Sequence, residues 1–136
     1  MRIYLDSNVF ISFVKRENGR RVFSLGLQAD LFFDNAKNEK NTLVLSELFF
    51  KEVKKTISLE PDEILNTLNE IGVFFETVEI RHEMVIELEK KGIHYPDSLH
   101  ASTAILNGCD CIATFNKKDF EKINERIEII SPSEFT

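Results

Sequence analysis

Four acidic residues stand where predicted strands end or predicted helices begin, and these are places where side chains do chemistry in α/β proteins. They are Asp6, Glu47, Asp97 and Asp119. In an open parallel sheet, ligands bind outside the carboxyl ends of the strands. Such a sheet would bring these carboxylates to the same edge, although they are far apart along the chain. Their positions therefore predict one acidic site.

Carboxylates gathered at one edge suit the hard divalent ions. Mg²⁺ and Mn²⁺ prefer carboxylate oxygens and water. Two such ions about 3.5–4 Å apart can stabilise both the attacking and the leaving oxygen of a phosphoryl displacement, and an ion lowers the pKa of a water nucleophile. The net charge is −6, so a polyanionic substrate would need a cation at such a site.

Each acid also has a purely structural explanation. An acidic residue in the first turn of a helix stabilises that helix through its dipole by about 0.3–1 kcal/mol. Asp6, Glu47 and Asp97 would each serve in this way, and Asp119 would cap the turn at Phe120. Capping predicts nothing about where the acids meet, whereas the metal interpretation requires them on one side of the sheet.

The elements that would position these residues alternate between strand and helix. The predicted strands are 3–5, 42–45, one within 73–80 placed near 77–79, 109–114 and 127–130. The predicted helices are 8–15, 20–37, 47 to about 58, 61–71, 81–91 and 97–107. Alternation implies parallel pairing through crossover connections. We expect an α/β fold, a three-layer α/β/α sandwich around a mostly parallel sheet of four to five short strands, with residues 1–136 as a single domain.

Composition narrows the class of protein. The net charge of −6 argues against a sequence-independent nucleic-acid binder with a broad basic face. No long uncharged apolar run or signal-peptide pattern occurs in the sequence, so we expect a cytoplasmic protein without membrane spans. Cys109 and Cys111 are too few for a zinc site and too close for a mutual bridge, and we expect them to be buried as small apolar residues.

Four segments together resemble the PIN domain family, and in particular the VapC-type toxins of toxin–antitoxin pairs. They are IYLDSNVF at 3–10, LSEL at 45–48, DSLHASTA at 97–104 and ATFNKKDF at 113–120. The first and third are the most specific, and the order of the segments and the chain length also fit. The resemblance implies a PIN-like fold and a metal-dependent endoribonuclease that uses Mg²⁺ or Mn²⁺.

Carried over position by position, the resemblance assigns roles to individual residues. Three acids would be catalytic and would bind the metal, namely Asp6, Glu47 and Asp97. In the last segment Asn116 stands where many members have Asp, and Asp119 is the other acid available. Either Asn116, as a metal ligand, or Asp119, as a catalytic acid, would complete the site. Asn8 and Thr114 would be polar residues near the site that orient ligands or water.

The resemblance also implies partners, namely an RNA substrate, a second copy of the chain in a homodimer, and a small antitoxin. Adjacent phenylalanines occur at 32–33, 49–50 and 74–75. Neighbouring helical residues point in different directions, so one of each pair is available to a partner, unless the pairs form a wide core stripe.

Other polar residues near these segments admit two interpretations. Five basic residues follow or flank these segments, namely Arg16, Arg20, Arg21, Lys117 and Lys118. They either contact RNA phosphates or form a solvated surface. His100 lies one turn into the predicted helix 97–107, and we expect it to pack or to bond to a backbone carbonyl rather than to act in catalysis.

Two other functions remain open. The residues DSNV at 6–9 loosely match the nucleophile loop of haloacid-dehalogenase-like phosphohydrolases, but Asn8 replaces the second acid of that loop. An aspartyl-phosphate on Asp6 would favour this alternative. Asn116 favours a catalytically weakened PIN-fold module that binds RNA or protein. Mg²⁺ binding without RNA cleavage would indicate such a module.

Overall fold

The computed structural model describes residues 1–17 and 23–135, and in these ranges strands and helices alternate. The strands are β1 (Arg2–Leu5), β2 (Thr42–Ser46), β3 (Phe74–Val78), β4 (Cys111–Ala113) and β5 (Glu128–Ile130). The helices are α1 (Ser7–Glu17), α2 (Phe23–Asn38), α3 (Glu47–Ile57), α4 (Pro61–Ile71), α5 (Val85–Lys90) and α6 (Asp97–Leu106). Short 3₁₀ turns lie at Lys117–Asp119, Glu121–Ile123 and Pro132–Phe135.

The strands form one sheet in the order β3-β2-β1-β4-β5. Each neighbouring pair of these strands is parallel, and Tyr4 in the central strand lies opposite Val44 of β2 and Ile112 of β4. Parallel strands need crossover connections, which the intervening helices supply. This arrangement confirms the predicted α/β sandwich, and each strand directs its carboxyl end to the same edge.

The two faces of the sheet carry separate apolar cores. Ile3 and Leu5 of β1 belong to the core beneath α1, α2, α3 and α4. Tyr4, which points to the opposite face, belongs to the core beneath α5 and α6. Side chains alternate between faces along a strand. Because both faces are covered, the strands are continuous apolar runs rather than alternating ones.

The predicted helix 81–91 begins later than expected, at Val85. The backbone N–H of Arg81 donates to Thr103 Oγ1 and that of Met84 donates to Ser102 Oγ, each at 3.1 Å. These residues therefore dock on side chains of α6, and only the following residues form a helix. This is a tertiary contact that helical periodicity does not reveal.

Two predicted strands also differ in extent. β3 spans Phe74–Val78 instead of 77–79, because Gly72 adopts a φ of +88° that ends α4 and lets the strand begin early. β4 spans only Cys111–Ala113 instead of 109–114. The start of the predicted helix 20–37 lies outside the described residues.

The adjacent phenylalanines Phe32 and Phe33 lie in the core. Both are 1% exposed, so of the two interpretations the wide core stripe holds for this pair. Phe33 packs edge-to-face on Phe13 with centroids 5.0 Å apart, and Phe32 packs on Phe135 at 5.0 Å. The C-terminal turn covers the second side of α2, which makes a wide core stripe. Phe74 on the edge strand is 59% exposed.

The two cysteines are at least partly shielded from solvent. Cys109 and Cys111 are both free, and Cys111 is buried whereas Cys109 is half-buried. Burial raises the pKa of the Cys109 thiol to about 11 and that of Cys111 to about 12.

Among the described helices, no stretch is both long and apolar enough to cross a membrane.

Candidate metal centre

Asp6 is held at the carboxyl end of β1 by contacts on three sides. Its backbone N–H donates to Ala113 O at 3.0 Å, and its backbone carbonyl accepts the N–H of Val9 at 3.2 Å. Its carboxylate accepts a backbone N–H from Asn8 and the hydroxyl of Thr114 at 2.7 Å. Asp6 therefore lies at the start of α1 as a cap would, and it also presents its carboxylate at the sheet edge.

Thr114 and Asn8 form the support of this carboxylate. Thr114 Oγ1 accepts the backbone N–H of Asn116 at 3.0 Å and the side-chain amide of Asn8 at 3.4 Å. Asn8 Oδ1 accepts the backbone N–H of Phe115 at 3.3 Å. With these donors occupying its lone pairs, the Thr114 hydroxyl directs its own proton to Asp6. Both predicted near-site residues thus lie beside the first acid.

The structure brings Glu52, rather than the predicted Glu47, to Asp6. Ligand atoms of Asp6, Glu52 and His100 all lie within 4.8 Å of one another. Glu47 is a surface residue whose side chain is 67% exposed and whose carboxylate pairs with Lys51 at 3.3 Å. Positions five apart on a helix are turned by about 140°, so the two acids of α3 cannot face the same site.

A sequence signal for Glu52 was present. Phe49 and Val53 of α3 are buried, and side chains three or four apart on a helix share one face. Glu52 comes three residues after Phe49 and directly before Val53, so it lies at the border of the core-facing stripe. The Ser-Glu pair at the start of the helix pointed to Glu47 instead, which the structure places on the surface.

His100 connects Glu52 to the centre of the sheet. Its Nε2 lies 3.0 Å from both carboxylate oxygens of Glu52. Its Nδ1 lies 2.7 Å from the hydroxyl of Tyr4, which lies 2.8 Å from Ser46 Oγ. Ser7 Oγ donates to Glu52 Oε1 at 2.8 Å. His100 therefore bonds to side chains and not to a backbone carbonyl, and Ser46 makes no side-chain cap bond to α3.

Asp97, the first residue of α6, lies within electrostatic range of the other acids. Its pKa is raised to about 6, first by burial and then by the negative charges of Asp6 and Asp119. Glu52 also raises this pKa, whereas His100 lowers it. The structure thus brings Asp6, Asp97 and Asp119 into one electrostatic neighbourhood, together with Glu52.

Asn116 and Asp119 lie in the loop after β4 and are both exposed. The backbone of Asn116 supports the loop, because its N–H donates to Thr114 Oγ1 at 3.0 Å and its carbonyl accepts the N–H of Asp119 at 3.0 Å. The carboxylate of Asp119 raises the pKa of Asp97. Asp119 therefore brings negative charge to the site, and the role predicted for the Asn116 side chain stays a prediction.

Burial and mutual repulsion set the charge states around the site. Burial raises the pKa of Asp6 and outweighs the opposite effects of His100 and of the Thr114 hydroxyl. Burial also acts to raise the pKa of Glu52, but its contacts with His100 and with Ser7 lower the pKa overall. For His100, burial lowers the pKa, and the contact with Glu52 and the surrounding carboxylates raise it overall.

The residues present fit a divalent cation. Asp6 and Glu52 supply hard oxygen donors within 4.8 Å of each other, and Asp97 adds a carboxylate whose pKa is raised first by burial and then by repulsion from Asp6 and Asp119. A cation near these oxygens would relieve that repulsion. Oxygen donors of this kind are typical of Mg²⁺ and Mn²⁺ sites.

The basic residues near the site are partly paired. Lys117 binds Glu134 at 3.0 Å, and Arg16 lies 3.8 Å from Asp30. Arg20 and Arg21 lie outside the described residues. Contact of these side chains with RNA phosphates stays a prediction.

Both the sequence and the fold of this chain are similar to those of known proteins. A model of the PIN domain matches residues 3–126. A similar solved structure is that of VapBC2 from Rickettsia felis bound to a DNA fragment from their promoter, with 22% sequence identity and a TM-score of 0.62, covering 96% of this chain and 98% of that one. A search of curated proteins gave no significant match. Because the PIN match extends over residues 3–126 of 136, the chain belongs to the PIN domain family.

Proposed function

We propose that this protein is a Mg²⁺- or Mn²⁺-dependent endoribonuclease. Asp6, Glu52 and Asp97 would hold the ion, with Asp119 as the fourth acid of the site. The observation that carries this proposal is the meeting of Asp6 and Glu52 within 4.8 Å at the carboxyl edge of the sheet in a member of the PIN domain family, whose members are nucleases. In this proposal Glu52 takes the place predicted for Glu47.

The contacts within the site suggest how these residues would act. Thr114 orients one oxygen of Asp6, while Ser7 and His100 orient Glu52. Carboxylates held in this way need little reorganisation when a substrate arrives. When bound, the ion would offset the charge of an RNA phosphodiester and lower the pKa of an attacking water. Without a cation, the acids would repel the phosphates.

We also propose that the protein is the toxin of a type II toxin–antitoxin pair and acts on RNA in the cytoplasm as a homodimer. The resemblance of its segments to VapC-type toxins supports this assignment, as does the likeness of its fold to the VapBC2 structure. Expression of the chain alone should then arrest growth, and co-expression of a small protein encoded beside it should restore growth. Growth that is unaffected by the chain alone would favour an RNA-processing nuclease instead.

A pair of substitutions on one helix tests the site. Glu52→Gln should abolish Mn²⁺-dependent cleavage of RNA, because it removes the negative charge of a carboxylate from the proposed metal site. Glu47→Gln is the matched control, since this glutamate begins the same helix but is exposed and paired with Lys51, and the variant should cleave like wild type. Loss of cleavage in Glu47→Gln with normal cleavage in Glu52→Gln would contradict the proposed ligand set.

The same assays separate the alternatives. Calorimetry of wild type beside Asp97→Asn should show Mn²⁺ binding that is lost in the variant, together with cleavage. Wild-type protein that binds Mn²⁺ but cleaves no RNA under any condition would indicate a PIN-fold binding module. The family match gives no support to a haloacid-dehalogenase-like phosphohydrolase.

A further inference from the structure

We propose that His100 is a positioning residue that aims the Glu52 carboxylate at the ion, and that the Tyr4 hydroxyl, by donating to Nδ1, helps to keep the proton of His100 on Nε2, which faces Glu52. The inference rests on the proposed metal-dependent function and adds a hydrogen-bonded relay behind the site. The relay runs from Tyr4 through His100 to Glu52, and Ser46 is the other hydrogen-bond partner of the Tyr4 hydroxyl.

Both ring nitrogens of His100 already have protein partners. Nε2 is equidistant, at 3.0 Å, from the two oxygens of Glu52, so an N–H there points between them. Nδ1 contacts the Tyr4 hydroxyl at 2.7 Å. The ring is only 2% exposed and stands edge-on to the Tyr4 ring, with centroids 5.7 Å apart. Direct binding of an ion by His100 would break one of these contacts, which favours positioning over ligation.

The Glu52 carboxylate, which can only accept, and the Tyr4 hydroxyl together favour one tautomer of His100. A neutral histidine carries a single N–H, and if that proton were on Nδ1, the lone pair of Nε2 would face two carboxylate oxygens at 3.0 Å. Donation from Tyr4 to Nδ1 leaves the proton on Nε2, where it binds Glu52. In the protonated ring Tyr4 accepts from Nδ1 instead, and Nε2–H still faces Glu52. Both states therefore present the same donor to the carboxylate.

His100 connects Glu52 to the opposite layer of the sandwich. Its helix α3 packs in the core on one face of the sheet, whereas Tyr4 and α6 belong to the other face. Ser7 holds one oxygen of Glu52, and His100 contacts both. Partners of this kind behind metal ligands typically contribute about 10–100-fold to metal affinity.

Nitrogen-15 NMR of the metal-free protein tests the tautomer without any metal. We expect wild-type His100 to show a protonated Nε2, and Mg²⁺ addition to leave that proton in place. A neutral ring with the proton on Nδ1 would overturn the proposal, and so would loss of the Nε2 proton on Mg²⁺ addition, which would indicate direct ligation. If wild type binds no metal by calorimetry, the proposed function fails, and so does the role of His100 in it, whereas a wrong tautomer alone overturns only the relay.

Mn²⁺ calorimetry on folded variants tests the effect on affinity. Tyr4→Phe removes a hydroxyl that touches neither Glu52 nor the ion, and we expect it to weaken Mn²⁺ binding by about 10-fold. His100→Leu should weaken binding at least as much, and His100→Gln should restore part of it because an amide N–H can donate to Glu52. Ser46→Ala is the matched control, since it removes the other hydrogen bond of the same hydroxyl and should leave affinity within about two-fold of wild type.

Two results would overturn the relay. Wild-type affinity in Tyr4→Phe and His100→Leu would show that Glu52 needs no support from His100. An equal loss in Ser46→Ala and Tyr4→Phe would show that the core as a whole, and not the donor to Glu52, sets the affinity. Circular dichroism and urea unfolding identify the variants that fold. If Tyr4→Phe does not fold, the tautomer of His100 in the wild-type protein still tests the relay.

Discussion

Asp97→Asn should stabilise the metal-free protein at neutral pH, although the proposed activity needs this acid. Burial, followed by the charges of Asp6 and Asp119, raises the pKa of Asp97 from 3.8 to about 6. Because the folded state holds this proton more tightly than the unfolded state, the ionised carboxylate opposes folding. The destabilisation is complete above the folded pKa and disappears as pH falls toward the unfolded pKa. Asparagine has a similar shape and no charge.

The size of the effect follows from the shift. A change from 3.8 to about 6 corresponds to about 3 kcal/mol at 1.36 kcal/mol per pKa unit. Asp97 is partly exposed, so solvent screening reduces this figure, and the favourable helix dipole at the start of α6 reduces it further. We expect a net gain of about 1 kcal/mol. That gain would raise the melting temperature by about 3–5 °C.

Urea unfolding in EDTA measures this difference. The free energy of unfolding of Asp97→Asn should exceed that of wild type by about 1 kcal/mol near pH 7.5, and this difference should shrink near pH 4.5. Asp62→Asn is the matched control, because Asp62 is an exposed acid in the first turn of α4, and it should give no gain. Saturating Mn²⁺ should stabilise wild type and leave Asp97→Asn unchanged.

Either of two results would refute this reasoning. If Asp97→Asn is no more stable than wild type in EDTA near neutral pH, burial and the neighbouring acids do not make the ionised Asp97 carboxylate oppose folding. A stability difference that stays constant between the two pH values would show that it arises from packing or capping, because a contribution from the charge of Asp97 must shrink as that carboxyl is protonated.

The remaining contacts support further predictions. Thr114→Val removes the hydroxyl that donates to Asp6 at 2.7 Å, and we expect Mn²⁺ affinity to fall by about 10-fold in calorimetry, which unchanged affinity would contradict. Phe33→Ala should lower the free energy of unfolding by about 3–5 kcal/mol in urea, because Phe33 is 1% exposed. Phe74, at 59% exposed, is its counterpart on the surface, and Phe74→Ala should change stability by about 0.5 kcal/mol or less. Equal losses in the two variants would contradict the packing described for α2.

The local sequence pattern was sufficient to predict the architecture of the fold. Short apolar runs alternating with helical periodicity specify crossover connections, and these in turn specify a parallel sheet with one carboxyl edge. The positions of Asp6 and Asp97 follow from the same reasoning, since each is the residue at which a strand has just ended or a helix begins. Asn8 and Thr114 came from the resemblance to the PIN domain family, and the sheet places them side by side.

Tertiary structure decided which side chains meet. Glu47 and Glu52 are both acids of α3, and only the rotation of that helix against the sheet brings Glu52 to His100. The partner of His100 on the other side, Tyr4, belongs to the central strand, 96 residues earlier. The late start of α5 likewise reflects bonds to side chains of α6. Sequence periodicity reports the environment of each element by itself, whereas a site depends on the relative orientation of elements, which packing sets.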